Sequence, residues 1–162
     1  MIGFILAFFF ARDVNVYLPC TRGLTVEYAG VVDTIVGYTD PHEPRLCVIA
    51  RRGAVSWGRE QLTDRVSYAG EVDALVALRP PMLKAPLYTG AHWRFDRTDY
   101  AIVAVGRPVT VPAGTFSDTV WIEETSESGR ATSVYVAGIG LVRHERGATI
   151  MQAVRVLRPS TP

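Results

Sequence analysis

The sequence predicts an all-β fold: a single curved antiparallel sheet, closed as far as a half-barrel or an open barrel. Three observations carry that expectation. Helical periodicity is nearly absent, because no long stretch keeps apolar residues at three- and four-residue spacing without meeting Gly or Pro. Short runs rich in β-branched and aromatic residues recur instead, several with apolar and polar residues alternating. The 14 Gly and 10 Pro fall largely between those runs as punctuation. At 162 residues one domain with a real core is the default. Its boundaries are placed at 15–157, with 1–14 as a truncated signal segment or a first strand and 158–162 as a frayed tail.

The first run, Ile2 to Ala11, is apolar throughout. It is shorter than the ~20 residues that span a bilayer, and has the length of the apolar part of a secretory signal. No basic residue precedes it, as in a signal whose basic end lies upstream. A signal implies export to an oxidising compartment, periplasm or cell envelope. A buried first strand or short helix is the alternative. Cys20 and Cys47 allow three readings: two unpaired thiols, a Cys20–Cys47 disulfide, or lipid attachment at Cys20, which the preceding Pro19 disfavours. The disulfide would close a long loop, worth ~3.5 kcal/mol in the chain-entropy model.

Strands follow in order. Leu24, Val26 and Tyr28 alternate with Thr25 and Glu27. Val31–Tyr38 ends at the polar turn Thr39–Pro44, and Leu46–Ala50 ends at Arg51-Arg52-Gly53. Val55, Trp57 and Arg59 share one side of the next run, with Ser56, Gly58 and Glu60 opposite. Val66–Ala69 and Val72–Leu78 complete the first half. Arg79–Pro86 carries adjacent prolines, which cannot donate to a ladder, and is expected to be an extended connector. An interdomain linker is disfavoured, since halves of roughly 80 residues would have thin cores.

In the second half Trp93 and Phe95 alternate with His92, Arg94 and Asp96. Tyr100–Val105 is apolar on both faces, as a central strand would be. Gly106-Arg107-Pro108 turns the chain into the extended Val109-Thr110-Val111. Pro112-Ala113-Gly114 is a tight turn in which Gly114 permits a positive φ. Phe116, Val120 and Ile122 share one parity, with Trp121 on the other. Ser126–Gly129 is a hairpin tip leading to Ala131–Val136. Gly138-Ile139-Gly140 marks a bulge or sharp bend before Leu141–Glu145. Thr149–Leu157 is the last strand.

Two passages carry a resemblance. Val109–Phe116 reads VTVPAGTF, and Tyr135–Arg143 reads YVAGIGLVR, where Ala137-Gly138 stands for a more usual Ala-Pro-Gly. With Leu87–Trp93 upstream, residues 80–157 resemble a family of uncharacterised bacterial secreted or lipoprotein domains. The resemblance implies an all-β envelope protein with a curved half-barrel like those of lipoprotein carriers. It implies no activity.

Chemical motifs are sparse. His42, His92 and His144 are scattered and fit no metal-ligand spacing, so no metal site is predicted. There is no GxSxG elbow, phosphate-binding loop or dinucleotide fingerprint, so neither catalytic residues nor a cofactor are predicted. With 17 Lys+Arg against 16 Asp+Glu, the charge gives no reason to expect nucleic acid. Arg51-Arg52 and Arg143/Arg146 read as solvated strand edges.

The aromatics Trp57, Tyr68, Trp93, Phe95, Trp121 and Tyr135 all fall on predicted strands. A curved sheet could gather several into an apolar groove, although core packing is the simpler use of such residues. Trp121 occupies an otherwise polar parity, between Thr119 and Glu123, so it is exposed, in an interface or lining a groove. The expectation is a non-enzymatic binding or structural module of the bacterial envelope. Its partner would be an apolar small molecule, a lipid or a protein, with no transmembrane span. The alternatives are a subunit that contacts other chains through sheet edges or the Trp121 face, and an enzyme with a composite polar site near His92 or Glu124.

Overall fold

Alternating side chains make each strand two-faced, and here nearly all of them join one sheet. The computed structural model describes residues 13–40, 42, 45–54, 56–71, 74–75 and 80–160. The expectations for the apolar run Ile2–Ala11, for Val55 and for most of Val72–Leu78 lie outside these residues. The described chain opens with a short helix, α1 (Val14–Tyr17), capped by Asp13, whose carboxylate accepts from the Asn15 amide. The strands of the first half are β1 (Thr25–Tyr28), β2 (Val31–Tyr38), β3 (Leu46–Arg51), β4 (Trp57–Gln61), β5 (Arg65–Glu71), β6 (Ala74–Leu75) and β7 (Pro81–Lys84). The second half contributes β8 (His92–Phe95), β9 (Thr98–Val105), β10 (Val109–Val111), β11 (Gly114–Phe116), β12 (Thr119–Ser126), β13 (Gly129–Val136), β14 (Gly140–Arg146) and β15 (Thr149–Leu157).

The fold is all-β, and its main sheet is curved, antiparallel and nearly closed into a barrel. Its order is β6-β5-β4-β3-β2-β1-β15-β14-β13-β12-β9-β8, with β7 also paired to β5. The last strand therefore returns to sit beside the first, Thr25 opposite Leu157 and Val26 opposite Val156. The two ends of this order approach each other. Val66 of β5 and Leu83 of β7 share a core with Trp93 of β8 and Ile102 of β9.

The same core contains Val14, Tyr17 and Leu18. The N-terminal segment thus lies against the inner face of the sheet and fills part of it. Its polar groups are tied down as a buried backbone requires. The Val16 carbonyl accepts from Gly138 N at 2.8 Å. Asn15 Nδ2 donates to the Leu62 carbonyl at 3.1 Å, and Tyr17 Oη donates to Asp118 at 2.7 Å. The Leu18 and Pro19 carbonyls accept from Gln61 Nε2 and Arg59 Nη2. Cys20 is disulfide-bonded to Cys47 of β3. Of the three readings of the cysteines, the structure holds the bridge, with no free thiol among the described residues.

Three sequence expectations need correction. The proline-rich segment is not purely a connector. Pro81–Lys84 pairs with β5 as an edge strand, with Pro81 opposite Ser67. An edge tolerates proline at a strand's first residue because its missing N–H faces no partner. β9 is not buried on both faces. It runs between β12 and β8, but Val103 is 41% exposed while Ile102 is buried. Phe116 does not share a strand with Val120 and Ile122. It ends a separate two-stranded ribbon, β10–β11, in which Gly114 has φ +140°. That ribbon packs Val109 and Val111 into a second core with Val134, Val136, Val142 and Ala153. Gly138, at φ +73°, turns the chain sharply between β13 and β14. The bulge lies in the β13–β14 ladder, where Val134 pairs with Arg143 and Tyr135 with Leu141, leaving Val142 as the extra residue.

Candidate functional site

The inner face is not filled evenly. Against β8, β9, β12 and β13 the N-terminal segment closes it. Against β1–β5 a cavity of about 360 Å³ remains. Strand register explains its wall. Val26 lies opposite Asp33, Asp33 opposite Arg51, Ile35 opposite Ile49, and Ile49 opposite Trp57, so one face of four neighbouring strands lines a single space. Leu18 and Leu141 also line it, and Leu18 belongs to the first core cluster as well. Tyr68, 36% exposed, lies towards solvent.

The wall is mainly apolar with a compact charged and aromatic group. Arg51 clasps Asp33 through two hydrogen bonds, Nε to Oδ1 at 2.7 Å and Nη2 to Oδ2 at 2.8 Å. This bidentate geometry satisfies both charges against each other. The pairing also holds the Arg51 pKa above its ordinary value. Trp57 sits between two guanidinium groups, with Arg51 Cζ and Arg59 Cζ each 5.8 Å from its ring centre. Tyr68 tilts against the same indole at 5.9 Å.

Arg59 differs from Arg51. It is only 4% exposed, and its one short hydrogen bond is Nη2 to the Pro19 carbonyl at 2.8 Å. No carboxylate forms a salt bridge with it among the described residues, and its Nε has no hydrogen-bond partner. Burial pulls its pKa down from the ordinary guanidinium value to about 10, so it still carries its charge at neutral pH. Trp57 Nε1 is also buried without a partner. Buried polar groups are normally satisfied, so two orphaned donors on one cavity wall call for an explanation.

The six aromatics named from the sequence do not converge. Trp57 and Tyr68 meet in the cavity. Tyr135 is buried in the first core cluster. Trp93 is buried there too, stacked on Tyr100 at 5.3 Å with the planes 2° apart. Phe95 ends β8 and pairs with Thr98 across the turn. Trp121 takes the parity opposite Val120 and Ile122. Its Nε1 donates to the Arg107 carbonyl at 3.0 Å, and the Arg107 guanidinium covers its ring at 4.7 Å.

One pair has the form of a nucleophile and base: Ser133 Oγ lies 3.0 Å from His144 Nδ1, on facing positions of β13 and β14. Ser133 is 2% exposed, so a substrate has no path to its oxygen, and the contact serves to satisfy a buried hydroxyl. His92 Nδ1 approaches the Gly90 carbonyl, and the His42 amide donates to Asp40. No group of three potential metal ligands occurs among the described residues. No helix among them is long and apolar enough to cross a membrane.

Sequence reasoning missed Tyr28, Asp33, Arg51 and Arg59 as site residues. A signal existed for one of them: Arg59 shares the parity of Trp57, so it had to face whatever Trp57 faces. Comparison with models of known protein families, with curated proteins and with solved structures finds no match.

Proposed function

We propose that the protein is a non-enzymatic binding module of the bacterial cell envelope that holds an apolar small molecule or lipid in the cavity between β1–β5 and the N-terminal segment. The cavity carries the reading. Its volume of about 360 Å³ lies within the roughly 300–1,000 Å³ typical of small-molecule sites. Its lining, mostly apolar with a few polar groups, is the composition that such sites use. The Cys20–Cys47 bridge supports an oxidising compartment, and the resemblance of residues 80–157 to envelope domains supports the same location. The Trp121 face offers less to a partner, because its indole is already covered by Arg107 and its N–H already bonded.

Native mass spectrometry of the purified protein, followed by solvent extraction, tests the proposal. A co-purifying apolar molecule in about equimolar amount is expected, or saturable uptake of an added apolar probe by protein stripped of it. Absence of both overturns the reading.

A further inference from the structure

The polar part of the cavity wall says what kind of apolar molecule it would take. Arg59 and Trp57, both lining that wall, each hold a buried polar atom without a hydrogen-bond partner, Nε and Nε1, and neither of these atoms has surface open to a water molecule. Both are donors, and neither residue has an acceptor that could serve the other. They are neighbours, since the Arg59 guanidinium carbon stands 5.8 Å from the Trp57 ring. The two carboxylates that share the wall do not meet the need. Asp33 is committed to Arg51 through both oxygens, and Glu71, opposite Trp57 on β5, is exposed. A buried cation without a counter-charge costs several kcal/mol, whereas a carboxylate brought to it forms charge-assisted hydrogen bonds. The remainder of the wall, including Val26, Ile35 and Ile49, would meet hydrocarbon.

We infer that the cavity selects an apolar molecule ending in a carboxylate, with the Arg59 guanidinium as its counter-charge and the aliphatic wall enclosing the chain. This rests on the binding reading above and adds the chemistry of the ligand's head. A neutral acceptor such as an ester or alcohol could accept hydrogen bonds but would leave the Arg59 charge unmatched.

Calorimetric titration of the full chain, stripped of bound molecules, with decanoate and with 1-decanol separates the two claims. Decanoate is expected to bind ~10- to 100-fold more tightly than decanol, the range that hydrogen bonds to a charged group give. In Arg59→Met that preference should collapse to about one. Equal binding of the two ligands by the unaltered protein would overturn the carboxylate inference and leave the cavity reading standing. Binding of neither would overturn the cavity reading. An undiminished preference in Arg59→Met would remove Arg59 from the role assigned to it.

Discussion

Replacing Arg59 by methionine should make the protein slightly more stable. Burying the guanidinium is costly. A pKa drawn by burial from the ordinary guanidinium value to about 10 corresponds to roughly 3 kcal/mol of net disfavour for the charged form. Methionine removes that cost and keeps an unbranched chain of similar reach in the same space. Two losses oppose the gain. The hydrogen bond to the Pro19 carbonyl contributes about 1 kcal/mol, and the contact with Trp57, near the outer limit of cation–π distance, about 0.5–1 kcal/mol. The balance is a stabilisation of about 1 kcal/mol. Urea unfolding should show it as a midpoint raised by about 0.5 M at a typical slope of ~2 kcal/mol/M, with the slope itself unchanged. A destabilisation above about 2 kcal/mol would refute the argument. It would mean that Arg59 anchors the Leu18–Cys20 segment, and that its charge is compensated within the fold. A gain in stability joined to loss of decanoate preference would mark a residue kept for binding at the fold's expense.

Other perturbations probe the architecture around that residue. Reduction of Cys20–Cys47, whose partners are 27 residues apart, should lower stability by about 3.5 kcal/mol in the chain-entropy model; unchanged urea midpoints with and without reductant would contradict this. Leu18→Ala removes a fully buried side chain shared by the core and the cavity wall, and should cost about 2–5 kcal/mol in urea unfolding while admitting bulkier ligands. Alkaline pH acts through Tyr28 and Tyr135, whose hydroxyl pKa values burial pushes above the ordinary 10. The fold prefers their neutral forms, so that stability is complete below pH ~10 and is lost as pH rises towards the folded values. Arg59 acts in the opposite sense above about pH 10, but two tyrosines outweigh one arginine. Unfolding midpoints should therefore fall above pH ~10, with the tyrosinate absorbance of the two buried side chains rising only as the chain unfolds; titration of all tyrosines in the folded protein would contradict it.

Much of the sheet was legible because its signal is local. β15 spans Thr149–Leu157, as its run of residues suggests, and the hairpin tip at Glu127-Ser128 joins β12 to β13 where Ser126–Gly129 was read as a turn. The site was less legible because it depends on register between strands distant in sequence. Asp33 and Arg51 meet only because β2 and β3 pair in a register that shifts between Ile35 and Gly37. Arg51 in the sequence is half of an Arg-Arg pair at a strand end, which reads as a solvated edge. Parity counting likewise places Arg59 beside Trp57. It cannot say that both face the inside of a barrel, because an arginine at an inward position looks the same as one on an outward face.

The N-terminal segment is the feature least visible in the sequence and the one on which the cavity depends. Four helical residues carry no readable period, so Val14–Tyr17 could not be placed by pattern. Yet this segment decides how much of the inner face is core and how much is binding space. Val14, Tyr17 and Leu18 complete the packing against β9, β12 and β13, and Leu18 also lines the cavity. The three fastenings that follow Tyr17 all come from the first half of the sheet: Gln61 to Leu18, Arg59 to Pro19, and Cys47 to Cys20. Arg59 therefore belongs to both structures at once. Through Nη2 it holds the N-terminal segment, and its charge, met by no carboxylate salt bridge among the described residues, lines the cavity wall. A carboxylate bound there would act on a residue that also grips the segment, coupling occupancy of the cavity to the hold on that segment. That coupling predicts that decanoate slows exchange of the Gln61 side-chain amide, which donates to Leu18, and of the Gly138 backbone amide, which donates to Val16, while decanol does not. Equal protection by the two ligands would show that the cavity fills without engaging the segment through Arg59.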